Sequence, residues 1–285
     1  MTQELSAVRL ELASRPEAPG FVRAALAGVA QLLELDPELF DDLKTAVSEA
    51  CNNVVLYAYN GEPGPFRVSL DIRADGIDAT VRDWGGGLEH GGAAEEQMGV
   101  GLAVISALAD RAEFIAAPDG GTEVRMAFTG RGGAIRRLEL PPEADPGAEV
   151  TVPLSGDVVV TVWPVGLLGG VLGRVTTAVA ARTHISLDRF SDIYLITDAI
   201  AAAAESGAGT GGVTFAVSAA AKRIELTVGP FRAGNGARLV EDGPLAWARS
   251  PRTLGILEFA VESVESLEGF ELVRVAVGER RDQPS

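Results

Sequence analysis

The chain has very little cysteine: one residue, Cys51, in 285. That excludes an internal disulfide and fits a reducing compartment, so a cytoplasmic protein is expected. Cys51 lies mid-helix among apolar residues and reads as core filling rather than as a nucleophile. Basic residues are also short, 24 Lys and Arg against 40 Asp and Glu, a net charge of −16. A chain this acidic does not grip a phosphate backbone directly, because that binding needs clustered cations. A basic protein partner suits its charge better. Long apolar runs are missing as well. The segment VVVTVWPVGLLGGVLG, Val158 to Gly173, is too short to span a bilayer and is broken by Pro164 and glycines. The start, MTQELSAVRLEL, has neither the basic nor the apolar part of a signal peptide. Hydrophobic content of 47% and charged content of 22% are those of a soluble globular protein, and the length suits two domains of roughly 140 residues.

What is present is one plan written twice. Phe40 follows Asp36 as Phe190 follows Ser186, and the same 150-residue offset pairs Val8–Leu12 with Val158–Val162, Gly20 with Gly170 and Val29 with Val179. An offset this long indicates duplicated domains rather than a solenoid, whose units are ~20–50 residues. The expected division is a domain over 1–130, a linker over 131–150 and a second domain over 151–280. The linker is rich in Gly, Pro and charge, with Arg131, Arg136 and Arg137 as solvated residues. The tail from Glu279 is expected to be disordered.

In the first copy, Val8–Leu12 alternates as a half-buried strand does. Pro16 and Pro19 open a helix, and Asp36-Pro37 caps a second that buries Leu43, Val47, Ala50 and Val54. Strands Phe66–Ile72 and Ile77–Arg82 form a hairpin about Ala74-Asp75-Gly76. A glycine-rich stretch, Gly85 to Gly101, leads to a helix from about Val100 to Ala109, and a hairpin of Ala112–Ala116 and Glu123–Phe128 closes the copy. The fold class is therefore α+β: two tandem two-layer sandwiches, each a mixed or mostly antiparallel sheet with helices on one face.

Four features of the first copy carry chemistry. Glu49 and Asn53 are four apart on the second helix and project from one side of it. Asp83-Trp84-Gly85-Gly86-Gly87 ends a strand: glycines let backbone approach a flat ligand while a carboxylate accepts a hydrogen bond. Gly99-Val100-Gly101-Leu102 opens a helix, where free N–H groups and the helix dipole suit phosphate. Gly121-Thr122 heads the last strand. Singly, a solvated helix face, a strand-end turn, a loop and a strand residue explain them equally well; their order makes the set specific.

These motifs resemble those of the GHKL nucleotide-binding superfamily over about residues 5–130. The acid and amide on one helix match Glu49 and Asn53. The Asp-x-Gly-x-Gly box matches Asp83, Gly85 and Gly87, the Gly-x-Gly-Leu box Gly99, Gly101 and Leu102, and the Gly-Thr pair Gly121 and Thr122. The resemblance implies ATP and Mg²⁺ as ligands, with Asp83 on the adenine amino group, Asn53 holding Mg²⁺ and Glu49 as general base. The short loop Leu88–Met98 and the leading strand and helix look like anti-sigma-factor serine kinases. His90 and His184 offer no phosphoacceptor on a dimerising helix, which argues against a histidine kinase. The implied partners are a sigma factor, an anti-sigma antagonist with a phosphorylatable serine, or both. Two departures bear on activity. The loop Leu88–Met98 has Glu89, Glu95 and Glu96 but no Lys or Arg, so a nucleotide-gated binding protein, or a slow ATP hydrolase, stands beside the kinase. The second copy reads LITDAIAAAAES in the helix and GPFRAGNGARL in the glycine segment, with a trace of the later box at Leu254-Gly255-Ile256-Leu257. Asp198 could stand for Glu49 only if the register slipped by one, and alanines fill the place of Asn53. No nucleotide is expected there; the copy is a structural domain, or stands in for a second protomer in a monomeric pseudo-dimer.

Overall fold

A computed structural model describes residues 6–73, 75–86, 93–130, 135, 152–208, 211–249, 257–263 and 268–279. It separates into two units, Met1–Leu138 and Glu139–Ser285.

In the first unit the apolar alternation becomes strand β1, Ser6–Ala13. Two helices follow, α1 over Ala18–Leu32 with Pro19 in its first turn, and α2 over Pro37–Asn53. The Asp36 carboxylate accepts from the N–H groups of Glu38 (3.0 Å) and Leu39 (3.3 Å), satisfying two donors that a helix start leaves open. Such a cap contributes about 1 kcal/mol. At its other end α2 loosens into a π turn, Val54–Ala58. Strands β2 (Pro65–Ile72) and β3 (Gly76–Asp83), helix α3 (Ala93–Leu108) and strands β4 (Arg111–Ala116) and β5 (Thr122–Thr129) complete the unit.

The strands lie in the order β4-β5-β3-β2-β1, with every adjacent pair antiparallel. The register aligns Leu10, Val68, Val81 and Val124 in one row across the sheet, all buried. Phe21, Val22, Leu43 and Val47 of α1 and α2 complete this core, with α2 packed between α1 and α3. The next inward row runs Leu12, Phe66, Asp83. The two-residue period that buries Val81 thus delivers a carboxylate to the buried face at the end of β3.

The second unit repeats this element order: β6 (Val158–Trp163), α4 (Leu168–Ala180), α5 (Leu187–Gly207), β7 (Val213–Ala220), β8 (Arg223–Arg232), α6 (Asn235–Glu241), β9 (Leu257–Ser263) and β10 (Phe270–Gly278). Its strands run β6-β7-β8-β10-β9, again antiparallel. The apolar segment from Val158 is a strand, a 3₁₀ turn at Val165–Leu167 and a helix, and no helix among the described residues is long and apolar enough to cross a membrane.

One expectation is corrected. Helix α3 starts at Ala93, not near Val100, because Ala93 to Met98 (AAEEQM) are strong helix formers that carry it back toward the glycine loop.

Candidate functional site

Asp83 sits at the corner where β3 ends, only 4% exposed. Its carboxylate accepts from the N–H of Gly85 (2.8 Å) and from that of Thr122. Burial still pushes the carboxyl up from its ordinary value, with those two N–H groups and the Arg82 guanidinium pulling the other way. The corner depends on close backbone contact. A Cβ on Gly85 would lie 2.0 Å from the Ala58 carbonyl oxygen, and one on Gly121 would lie 2.3 Å from that of Asp83. Neither position accepts a side chain. Gly121, at φ +78, also has a backbone conformation that other residues rarely adopt.

The π turn after α2 holds this corner from the other side. The Ala58 carbonyl accepts from the N–H of Gly86 (2.9 Å), and the Tyr59 hydroxyl accepts from the N–H of Trp84 (2.9 Å) while donating to the Pro65 carbonyl. π turns inside helices recur at functional sites because they re-aim the chain beyond them. Trp84 is partly exposed, with the Arg67 and Arg82 guanidinium groups 5.5 and 5.1 Å from its ring. It is flanked by cations rather than packed in the core.

Helix α2 supplies the second half of the site. Glu49 and Asn53 are half-buried, and Gly101 of α3 packs against both: a Cβ there would lie 3.2 Å from Asn53 Oδ1, 3.3 Å from Nδ2 and 3.5 Å from Glu49 Oε2. The Asn53 amide nitrogen is buried without a hydrogen-bond partner. Leaving such a donor unmet costs about 1–3 kcal/mol, so the amide is held ready for something other than the fold. Between these two residues lies Cys51, fully buried, its thiol pushed up to about 12 by that burial with Arg23 opposing. It is core filling.

The glycine box differs from expectation. Gly99 and Gly101 lie well inside α3, where N–H groups are taken by the preceding turn, so they do not form an open helix start. Gly101 instead provides room beside Glu49 and Asn53, Gly99 is exposed and uncrowded, and Leu102 is half-buried next to Gly101. Gly87, Leu88 to Gly92 with His90 among them, the linker arginines and Leu254 to Ile256 lie outside the described residues.

The region containing these features matches the sequence profile described as "Histidine kinase-like ATPase domain" over residues 12–128. The chain is 30% identical over 148 residues to the serine-protein kinase RsbW of Bacillus pumilus, a match covering 46% of this chain and 91% of the relative. It is 32% identical over 139 residues to an anti-sigma F factor of Oceanobacillus iheyensis (44% of this chain, 92% of the relative). Against an anti-sigma F factor of Clostridium perfringens it is 33% identical over 132 residues (42% and 93%). The chain belongs to the histidine kinase-like, or GHKL, ATPase family.

The site in the first unit fits the ligands of a GHKL ATPase. Asp83 offers a buried acceptor at the end of its strand, Asn53 an amide whose nitrogen is unmatched, and Gly101 the space beside it. No group of three or more His, Cys, Asp or Glu that could hold a metal occurs among the described residues. A bound Mg²⁺ would therefore take most of its oxygens from phosphate and water, as Mg²⁺ at nucleotide sites usually does.

The second unit repeats the element order of the first without these groups. Its buried row Val160, Phe215, Val228, Val273 corresponds to Leu10, Val68, Val81, Val124. Thr214 pairs with Gly229, so one further step puts Pro230 where Asp83 stands and Gly229 where Arg82 stands. Along α5 the buried Ile193, Ile196, Thr197, Ile200 and Ala201 follow Leu43, Ala46, Val47, Ala50 and Cys51 at the 150-residue offset. That register leaves no slip: the exposed Asp198 matches Ser48, and Ala199 and Ala203 occupy the positions of Glu49 and Asn53. The Glu271 carboxylate accepts the N–H of Gly236 in the first turn of α6, so that helix start already holds an anion of its own.

Two residues of the corner, Tyr59 and Arg82, belong to none of the sequence motifs. Arg82 should point to solvent by strand alternation, yet it is 8% exposed because the turn before β5 covers it. The only sequence signal is the pairing of that arginine with Asp119, 37 residues on.

Proposed function

We propose that this chain is an ATP-dependent regulator of the anti-sigma kinase type, whose first unit transfers phosphate to a serine of an antagonist protein and holds a sigma factor when that antagonist is absent. The observation that carries this reading is the meeting of Glu49, Asn53 and Gly101 on α2 and α3, with the buried Asp83 on the strand end that the turn after α2 holds. The names of the relatives, serine-protein kinase and anti-sigma F factor, support it.

Asp83 would accept a hydrogen bond from the adenine amino group, and Asn53 would hold Mg²⁺ through its amide oxygen. Bound ATP supplies the phosphoryl group. Glu49 would take the proton from the attacking serine hydroxyl onto a carboxylate oxygen, as a general base must at the moment of transfer. The second unit binds no nucleotide in this reading, and partners are proteins in the cytoplasm, not nucleic acid. The segment Leu88–Met98, lacking Lys and Arg, favours a second reading in which ATP acts as a conformational ligand without fast transfer.

Labelled ATP and a serine-bearing antagonist protein separate the two. Wild type should label the antagonist, and Glu49→Gln should bind ATP within about twofold of wild type but transfer at least ~100-fold more slowly, the scale of a lost general base. Transfer that persists in Glu49→Gln rejects its role as base, and ATP binding without transfer by wild type selects the second reading.

A further inference from the structure

Burying a guanidinium is costly unless every donor finds a partner. Arg82 offsets part of that cost by spanning two segments: one terminal nitrogen donates to the carbonyl of Asp83, the other donates to the Asp119 carboxylate (2.6 Å) and the Gly120 carbonyl (2.8 Å), and the Glu123 carboxylate lies 3.9 Å from Nε. It thereby ties the end of β3 to the turn between β4 and β5. That turn contains Gly121, pressed against the Asp83 carbonyl, and leads into Thr122, whose N–H is one of the two donors to the Asp83 carboxylate. Moving the turn would move that donor. The Trp84 ring, 5.1 Å from the guanidinium, closes the outer side.

We propose that Arg82 is a positioning residue for base selection, latching the β4–β5 turn so that the Asp83 carboxylate faces a purine amino group in a fixed orientation. The proposal rests on the nucleotide reading given above. Its chemistry is directional. Adenine presents an exocyclic amino donor to a carboxylate, whereas guanine presents a carbonyl oxygen at the same ring position, and two acceptors repel. Discrimination depends on the carboxylate being held in place, because a free one turns aside at little cost. A planar fork with two separate nitrogens reaches targets on both segments; a lysine ammonium is a single point. The equivalent position in the second unit is Gly229, next to Pro230, so latch and acceptor are missing together.

The test measures the affinities of the full chain for ATP and GTP with Mg²⁺, for wild type, Arg82→Gln, Arg82→Lys, Asp119→Ala, Asp83→Ala and the Arg82→Gln/Asp83→Ala pair. Arg82→Gln and Arg82→Lys should each weaken ATP about tenfold, the cost of degrading one charge-assisted hydrogen bond, and leave GTP within about twofold. The ATP-to-GTP preference therefore falls about tenfold. Asp119 is exposed, so Asp119→Ala leaves the core intact and should shift the preference the same way by a smaller factor. In the double variant the Arg82 change should add nothing to Asp83→Ala. An Arg82→Gln protein that melts lower but keeps the wild-type preference overturns the proposal, as does full rescue by lysine or additivity in the double variant. Should Arg82→Gln not fold, an unchanged preference in Asp119→Ala overturns it equally. If Asp83→Ala binds ATP as wild type does, the nucleotide reading itself fails, which is a different result from a preserved preference.

Discussion

Gly101→Ala should separate stability from activity in opposite directions. The added methyl sits in α3, where alanine is favoured over glycine by about 1 kcal/mol. For a unit of this size that alone raises Tm by about 3–5 °C. The methyl would also stand 3.2 Å from Asn53 Oδ1, 3.3 Å from Nδ2 and 3.5 Å from Glu49 Oε2. The first two distances are inside ordinary van der Waals contact, so the Asn53 amide must retreat by a few tenths of an ångström. Part of the helix gain is lost in that adjustment, and Tm should end between unchanged and about 4 °C higher. The site has no such compensation. Misplacement near 1 Å costs about 100-fold in rate, so a shift of this size should slow transfer roughly tenfold. Differential scanning fluorimetry, ATP calorimetry and labelled-phosphate transfer on one preparation give the three readouts. A variant with wild-type ATP affinity and wild-type transfer would refute the claim that Gly101 is small for the sake of Asn53 and Glu49.

Asp83→Ala should weaken ATP about ten- to a hundredfold, with one site per wild-type chain in calorimetry. Burial raises the Asp83 carboxyl above its ordinary 3.8, so wild-type ATP affinity should decline on acidification at a pH above that value, and Asp83→Asn should show no such decline. The same shift has a sign for stability: the folded carboxyl holds its proton more tightly than the unfolded one, so its ionised form costs stability above the raised value and the cost vanishes below 3.8. Cys51 should resist thiol reagents in the folded protein, because a thiol near 12 is thiolate in only about one molecule in 10⁵ at pH 7. It should react once denaturant opens α2, and rapid modification of the native chain would contradict its burial.

The fold is legible in the sequence wherever one local rule decides it. Asp36-Pro37 announces α2, and alternation announces β1 and the β2–β3 hairpin. The candidate residues Glu49, Asn53, Asp83 and Gly121 stand out in the sequence because their motifs are short and ordered. The start of α3 is misplaced when glycine is read as a boundary, since the six residues before Gly99 have the propensity to carry the helix through it. Arg82 and Tyr59 are invisible for a different reason. Their partners, Asp119 with Gly120 and the Trp84 backbone, lie 25 to 38 residues away, and no periodicity encodes such a meeting.

The two units show how little of their shared element order depends on the site. Both keep an apolar row across the sheet and the same buried face on the second helix. At this corner the first carries features that weaken it: a carboxylate held 4% exposed at the end of a strand, a buried amide nitrogen with no partner, and a helix glycine packed against that amide. A core needs none of these, and each is unfavourable by about a kilocalorie or more. In the second unit proline stands at the place of Asp83 and alanine at that of Asn53, and the core is intact without those groups. Unfavourable choices gathered at one corner, beside a row that shows what the fold alone requires, are what mark that corner as built for a ligand.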